Sequence, residues 1–102
     1  MTTVHLTKLV AALNTYLGQE GTAYKTDEVG NWTYTEDGYP IPNAGTYVLD
    51  QANGGVALNQ MVKSGGQVGV FNRTTNVILG KQIAAMIKGV QVAQDAMSRQ
   101  IG

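Results

Sequence analysis

The chain has 102 residues, seven basic and seven acidic side chains, one histidine and no cysteine. That length predicts one domain over residues 1–102, the missing cysteine excludes disulfides and thiolate sites, and the lone His5 cannot build a histidine metal site within one chain. Charged residues make up 14% of the chain, against roughly 25% in an average soluble domain, so the surface must be built largely from Thr, Asn, Gln, Ser and Gly.

Zero net charge favours association between copies. It also lacks the basic footprint of a duplex-binding protein, so nucleic acid is not an expected partner. The first nineteen residues have no basic leading region, and their apolar residues are periodic rather than continuous, which does not read as a signal peptide. No run has the length of a membrane span. The expectation is a cytoplasmic protein without a membrane segment.

Residues 3–17 read as an amphipathic helix, because Leu6, Leu9, Val10, Leu13, Tyr16 and Leu17 recur at spacings of three and four. Thr2 or Thr3 can cap its start and Gly18 suits its end. His5 lies off the apolar stripe and reads as a solvated helix-end residue. Residues 31–35 alternate, with Trp32 and Tyr34 on one face, which is a strand pattern. Residues 22–26 are a weaker strand candidate, paired to it through a turn at residues 27–30. Residues 36–45 hold two prolines and two glycines, which excludes a helix or central strand and predicts an ordered surface loop pinned by Tyr39 and Ile41.

Residues 46–71 carry three short apolar runs separated by Asn53-Gly54 and Ser64-Gly65-Gly66, a pattern that predicts an antiparallel meander. Val56, Leu58 and Val62 are expected on one face with Val68 and Val70, and Asp50 is expected to bond turn amides. The last element, over residues 79–100, has its apolar stripe at Ile83, Met86, Ile87, Val90 and Met97. A helix of that length outruns strands of about six residues. Its end, with Val92, Ala96, Met97 and Ile101, is therefore expected to overhang the sheet and to form the interface of a homodimer. No internal repeat is evident.

The predicted fold is α+β: a two-layer sandwich with an N-terminal helix, a four- to five-stranded antiparallel meander and a long C-terminal helix, both helices on one face of the sheet. Glycine pairs that suggest phosphate loops fail on spacing: Ser64 stands where G-x-G-x-x-G needs glycine, and Thr75 where a Walker loop needs it before Gly80-Lys81. The carboxylates show no pairing across a cleft, so no catalytic residue, metal ligand or cofactor is assigned and no enzyme activity is expected. Trp32, Tyr34, Tyr39 and Tyr47 form an aromatic set with two readings. One is a core cluster under the proline loop. The other is a surface that stacks a nucleotide-like ligand beside residues 36–45 or, less favoured, single-stranded nucleic acid, with Lys25 the only base nearby.

The run Tyr47-Val48-Leu49-Asp50, then Gly54-Gly55-Val56-Ala57-Leu58, a Gly65-Gly66 turn and a final helix with Lys88-Gly89-Val90 resembles small uncharacterised proteins of bacteriophages and prophages. Those carry an LD…GGxxL hairpin after a short leucine-rich helix, here residues 7–17. The similarity spans about half the chain and departs from the pattern in the longer loop at residues 39–45 and the extended last helix. It implies a mobile-element setting and no reaction. The expected function is thus a non-catalytic protein-binding or oligomeric accessory protein, with an unidentified protein partner.

Overall fold

The computed structural model describes residues 2–52 and 54–101, and the side chains of residues 2–52 and 54–99. The architecture is α+β. An N-terminal helix α1 (Thr3–Tyr16) is followed, after a long excursion, by three strands and a C-terminal helix. The strands are β1 (Tyr47–Ala52), β2 (Gly55–Met61) and β3 (Gln67–Thr74), and the last helix is α2 (Asn76–Ile101). The sheet is antiparallel in the order β1-β2-β3.

Local chemistry sets the helix ends. The Thr2 hydroxyl accepts from the His5 amide at 3.2 Å and caps α1. Gly18, at φ +68°, lets the chain leave after the C-cap Leu17. Helix α2 starts earlier than the apolar stripe suggests, because the Thr75 hydroxyl accepts from the Ile78 amide at 3.3 Å and recruits the preceding turn. Its 26 residues span about 39 Å at 1.5 Å each.

Leu6, Val10 and Leu13 of α1, Leu79 and Ile83 of α2, and Val56 and Leu58 of β2 form one buried cluster. Tyr47, Leu49, Val70, Phe71, Met86 and Ile87 pack around it. β3 does not keep the simple alternation expected of it. Register shifts on either side of Leu58 place Phe71 opposite Leu58 and Val68 opposite Gln60. Each shift inserts a residue in β3 and reverses which face follows. Phe71 therefore reaches the core, and Val68 is half exposed.

The β1–β2 turn includes Asn53, which lies outside the described residues. Its far side is secured by Gly55 at φ +125°, where a Cβ would strike the Thr74 carbonyl. Among the described residues no turn amide donates to the Asp50 carboxylate. The carboxylate pairs with Arg73 at 2.7 Å, and the same guanidinium donates to the Gly55 carbonyl at 2.9 Å. The guanidinium reaches across from β3 because the sheet places Arg73 beside the hairpin end.

The sheet has three strands, not four or five. Residues 22–26 and 31–35 form isolated bridges instead: Thr26 with Trp32, Tyr34 with Pro40, and Pro42 with Tyr24, all antiparallel. Successive bridges are eight residues apart, so the chain contains a short threefold repeat that its amino acids conceal. Lys25 donates its amide to Ile41, Ile41 to Thr33, and Thr33 to Lys25, at 2.8, 3.2 and 3.0 Å. This ring is flanked by amide bonds from Asp27 to Asn31, Thr35 to Tyr39 and Asn43 to Ala23. The bridged positions donate nothing within the ring, which is why Pro40 and Pro42 fit there without an orphaned partner. Turning every eight residues stops each ladder before it becomes a strand.

We call residues 19–46 the arm. The chain's radius of gyration is 15.3 Å, against about 13 Å for a compact domain of this size, so the fold is more extended than a compact domain. The neck of the arm is closed by Asn14, a buried residue near the end of α1. The Asn14 amide donates to the Tyr47 carbonyl at 2.9 Å, and its oxygen accepts from the Tyr47 amide at 2.8 Å. The side chain thus imitates a neighbouring strand at the sheet edge. Asn14→Ala should lower unfolding free energy in urea by about 2–4 kcal/mol, since it orphans both Tyr47 backbone groups. Asn14→Asp, which cannot donate, should recover little of that loss.

Candidate functional site

The arm is built from three turns. Gly30 and Gly38, both at positive φ, close turns whose amides donate to Asp27 and Thr35, and the Thr46 amide donates to Asn43 in the third. The Asp27 carboxylate accepts from the amides of Val29 and Asn31 at 2.9 and 3.0 Å. The Thr35 hydroxyl accepts from Tyr39 at 3.2 Å in the corresponding place. Asn43 departs from this pattern and turns inward. It is 5% exposed, donates to the Thr22 carbonyl at 2.8 Å and accepts from the Lys25 ammonium at 3.1 Å.

The root of the arm joins the body through several polar contacts. The buried Thr46 hydroxyl donates to the Glu20 carbonyl at 2.9 Å, and the Tyr24 hydroxyl donates to the Gly65 carbonyl at 3.3 Å. Gly45 and Thr46 extend the β1–β2 ladder by exchanging bonds with Met61. Two further residues that sequence reading passed over therefore matter here, Asn43 and Asn14. The available signal was position: Asn14 sits four residues after Val10 on the apolar stripe, where a polar residue needs a partner.

Three of the four aromatic residues singled out in the sequence lie on the arm and face solvent. Trp32, Tyr34 and Tyr39 are 51%, 58% and 70% exposed. They do not form the buried cluster that was one of the two expectations. The Trp32 ring stands 4.9 Å from that of Tyr24, tilted at 40°. Tyr47 is elsewhere, packed against the helix–sheet core.

Two cavities lie beside these elements. One of ≈ 200 Å³, lined by Glu20, Thr22, Lys25, Thr26 and Asn43, sits at the arm root. The other, of ≈ 210 Å³, lies between α1 and the β1 edge near Asn14. None of the three exposed rings lines either.

The arm is strongly acidic. Glu20, Asp27, Glu28, Glu36 and Asp37 against Lys25 give a net charge of −4 over residues 19–46, and the rest of the chain carries +4. All five carboxylates are exposed, and among the described residues none makes an ion pair.

Near the C-terminal end of α1, α2 runs past it. The Gln91 amide donates to the Tyr16 hydroxyl at 2.8 Å, and Gln94 donates to the Tyr16 carbonyl at 3.0 Å. Val92, between these two contacts, and Ala96 and Met97, beyond them, are exposed, and the side chain of Ile101 lies outside the described residues. At about 100° per residue, Met97 continues the core stripe of Leu79, Ile83 and Met86, while Val92 and Ala96 belong to the outward face. His5 is an exposed first-turn residue of α1. Among the described residues no group of three or more His, Asp and Glu could hold a metal ion, and no helix is long and apolar enough to cross a membrane.

Trp32 is the only tryptophan, so its fluorescence reports on the arm alone. Its emission should be readily quenched by acrylamide. Caesium should quench it better than iodide, relative to a neutral tryptophan amide, because the neighbouring carboxylates repel anions. Equal quenching by the two ions would contradict the acidic surroundings. Comparison with known proteins returns no matching family model, no matching curated protein and no matching solved structure.

Proposed function

We propose that this chain is a non-catalytic, protein-binding and self-associating accessory module. It is of the kind that bacteriophages and other mobile elements encode, and it acts in the cytoplasm. The observation that carries this reading is the arm: a closed, hydrogen-bonded element that holds Trp32, Tyr34 and Tyr39 in water. Burying a large apolar side chain is worth roughly 1.5–3 kcal/mol. An ordered element that forgoes this for three rings is built to recover it against a partner.

The body supports the same reading. The two helices lie on one face of the sheet in a two-layer arrangement, and the last turns of α2 outrun it. Met97, 60% exposed, extends the core stripe past the end of α1. A second copy of the chain would cover it. The ligand-binding alternative has less support: among the described residues, the cavities at the arm root and beside Asn14, of ≈ 200 and ≈ 210 Å³, are lined by none of Trp32, Tyr34 and Tyr39.

Sedimentation equilibrium tests the self-associating part. At high micromolar concentration the weight-average mass should exceed the 10.8 kDa of one chain, and Met97→Glu should lower it towards that value. A single monomer mass for the unaltered protein at every concentration would overturn it.

A further inference from the structure

Acidic and basic residues are separated in space although they balance in number. The arm holds −4, and the remainder of the chain holds +4. Much of the positive charge lies on one surface. Lys81, Lys88 and Arg99 are all exposed on α2, and at 100° per residue they fall within about 20° of one another. Val92 lies in the same stripe, 55% exposed. Its neighbours Ala84, Ala85, Gly89 and Ala96 are small. Asp95 is the one carboxylate on this side of the helix. The outward face of α2 is therefore a shallow basic ridge with low side-chain relief.

The arm is its chemical complement. Glu28, Glu36 and Asp37 stand at turns around Trp32, Tyr34 and Tyr39, so the same element offers carboxylates for cations and ring faces for cation–π contact. These groups do not satisfy each other within one chain. Among the described residues the ion pair is Arg73 with Asp50, which involves neither surface.

We propose that the arm of one copy docks on the outward face of α2 in a second copy, with Glu28, Glu36 and Asp37 meeting Lys81, Lys88 and Arg99. This rests on the self-associating reading above and adds a contact to the one at Met97, which lies on the opposite side of α2. Each copy carries both halves of the contact, so two copies can join reciprocally about a twofold axis or link head to tail. Charge complementarity argues for a second copy as the occupant, because the two surfaces carry net charges of opposite sign, −4 on the arm and +2 on the ridge with Asp95 counted. A neutral partner would leave both sets of charges unmatched.

Salt and charge reversal test the proposal. Association of the unaltered protein, followed by sedimentation velocity, should weaken at least about tenfold between low salt and 0.5 M NaCl, where screening is short-ranged. One variant carries Glu28→Lys, Glu36→Lys and Asp37→Lys; the other carries Lys81→Glu, Lys88→Glu and Arg99→Glu. Each alone should associate at least about tenfold more weakly than the parent at low salt, with an unchanged far-ultraviolet circular dichroism spectrum. Their equimolar mixture should associate again, because reversed arm then meets reversed helix.

If both variants associate as the parent does, the arm-to-helix contact is wrong while the self-associating reading stands. If the parent is monomeric at every salt concentration, both fall. If the folded variants each associate more weakly and their mixture does not recover, the pairing is overturned. The salt titration uses no variant, so the proposal stays testable even if a triple substitution fails to fold.

Discussion

The structure depends most on a side-chain amide that stands in for a strand. β1 is an edge of the sheet, and its outer backbone groups would otherwise face outward without partners. Asn14 supplies one donor and one acceptor to Tyr47 in the geometry of a neighbouring peptide. The two residues lie 33 positions apart, and everything between them is the end of α1 and the arm. The pair therefore does two things. It fixes α1 against the sheet, so that Leu6, Val10 and Leu13 meet Val56 and Leu58, and it closes the neck of an excursion with no core of its own. Hydrophobic burial drives the packing, but the amide pair sets where the excursion begins and ends.

Within the arm, stability comes from mutual closure. A two-stranded hairpin is marginal in water, and each arm segment makes only one bridge to each neighbour. Joining the third segment to the first satisfies both sides of every segment at Lys25, Thr33 and Ile41. Asn43 then ties the ring to Thr22, donating to its carbonyl while accepting from the Lys25 ammonium. A hydrogen-bonded element presenting exposed rings has less entropy to lose than a loose loop when a partner covers them. The proposed binding role therefore leans on the backbone ring more than on any single side chain.

The helices and the hairpin were legible in the sequence because their signals are local: apolar spacings of three and four, a threonine cap, and glycines between short apolar runs. The bulges in β3 were not, since nothing in Val68-Gly69-Val70 distinguishes an inserted residue from regular alternation. The arm was half legible. Alternation at residues 31–35 and the turn residues were visible, yet the repeat was hidden because corresponding positions hold Tyr24, Trp32 and Pro40. Their common property is a backbone amide that the ring does not use, which chemistry at the side-chain level does not display. The aromatic residues were found, but their exposure follows from where the arm folds, which leaves these three rings outside the helix–sheet core. Net charge misled in a similar way: a total of zero conceals two surfaces of opposite sign.

The central claim is that residues 19–46 form a closed, ordered arm and not a loose loop. Amide hydrogen exchange measured residue by residue tests it most directly. The account predicts that the amides of Lys25, Thr33, Ile41 and Tyr47 are protected by at least about a hundredfold over free-chain rates, while the turn amides of Glu28 and Asp37 exchange freely. Exchange of Lys25, Thr33 and Ile41 at free-chain rates, with α1 and β2 still protected, would contradict it.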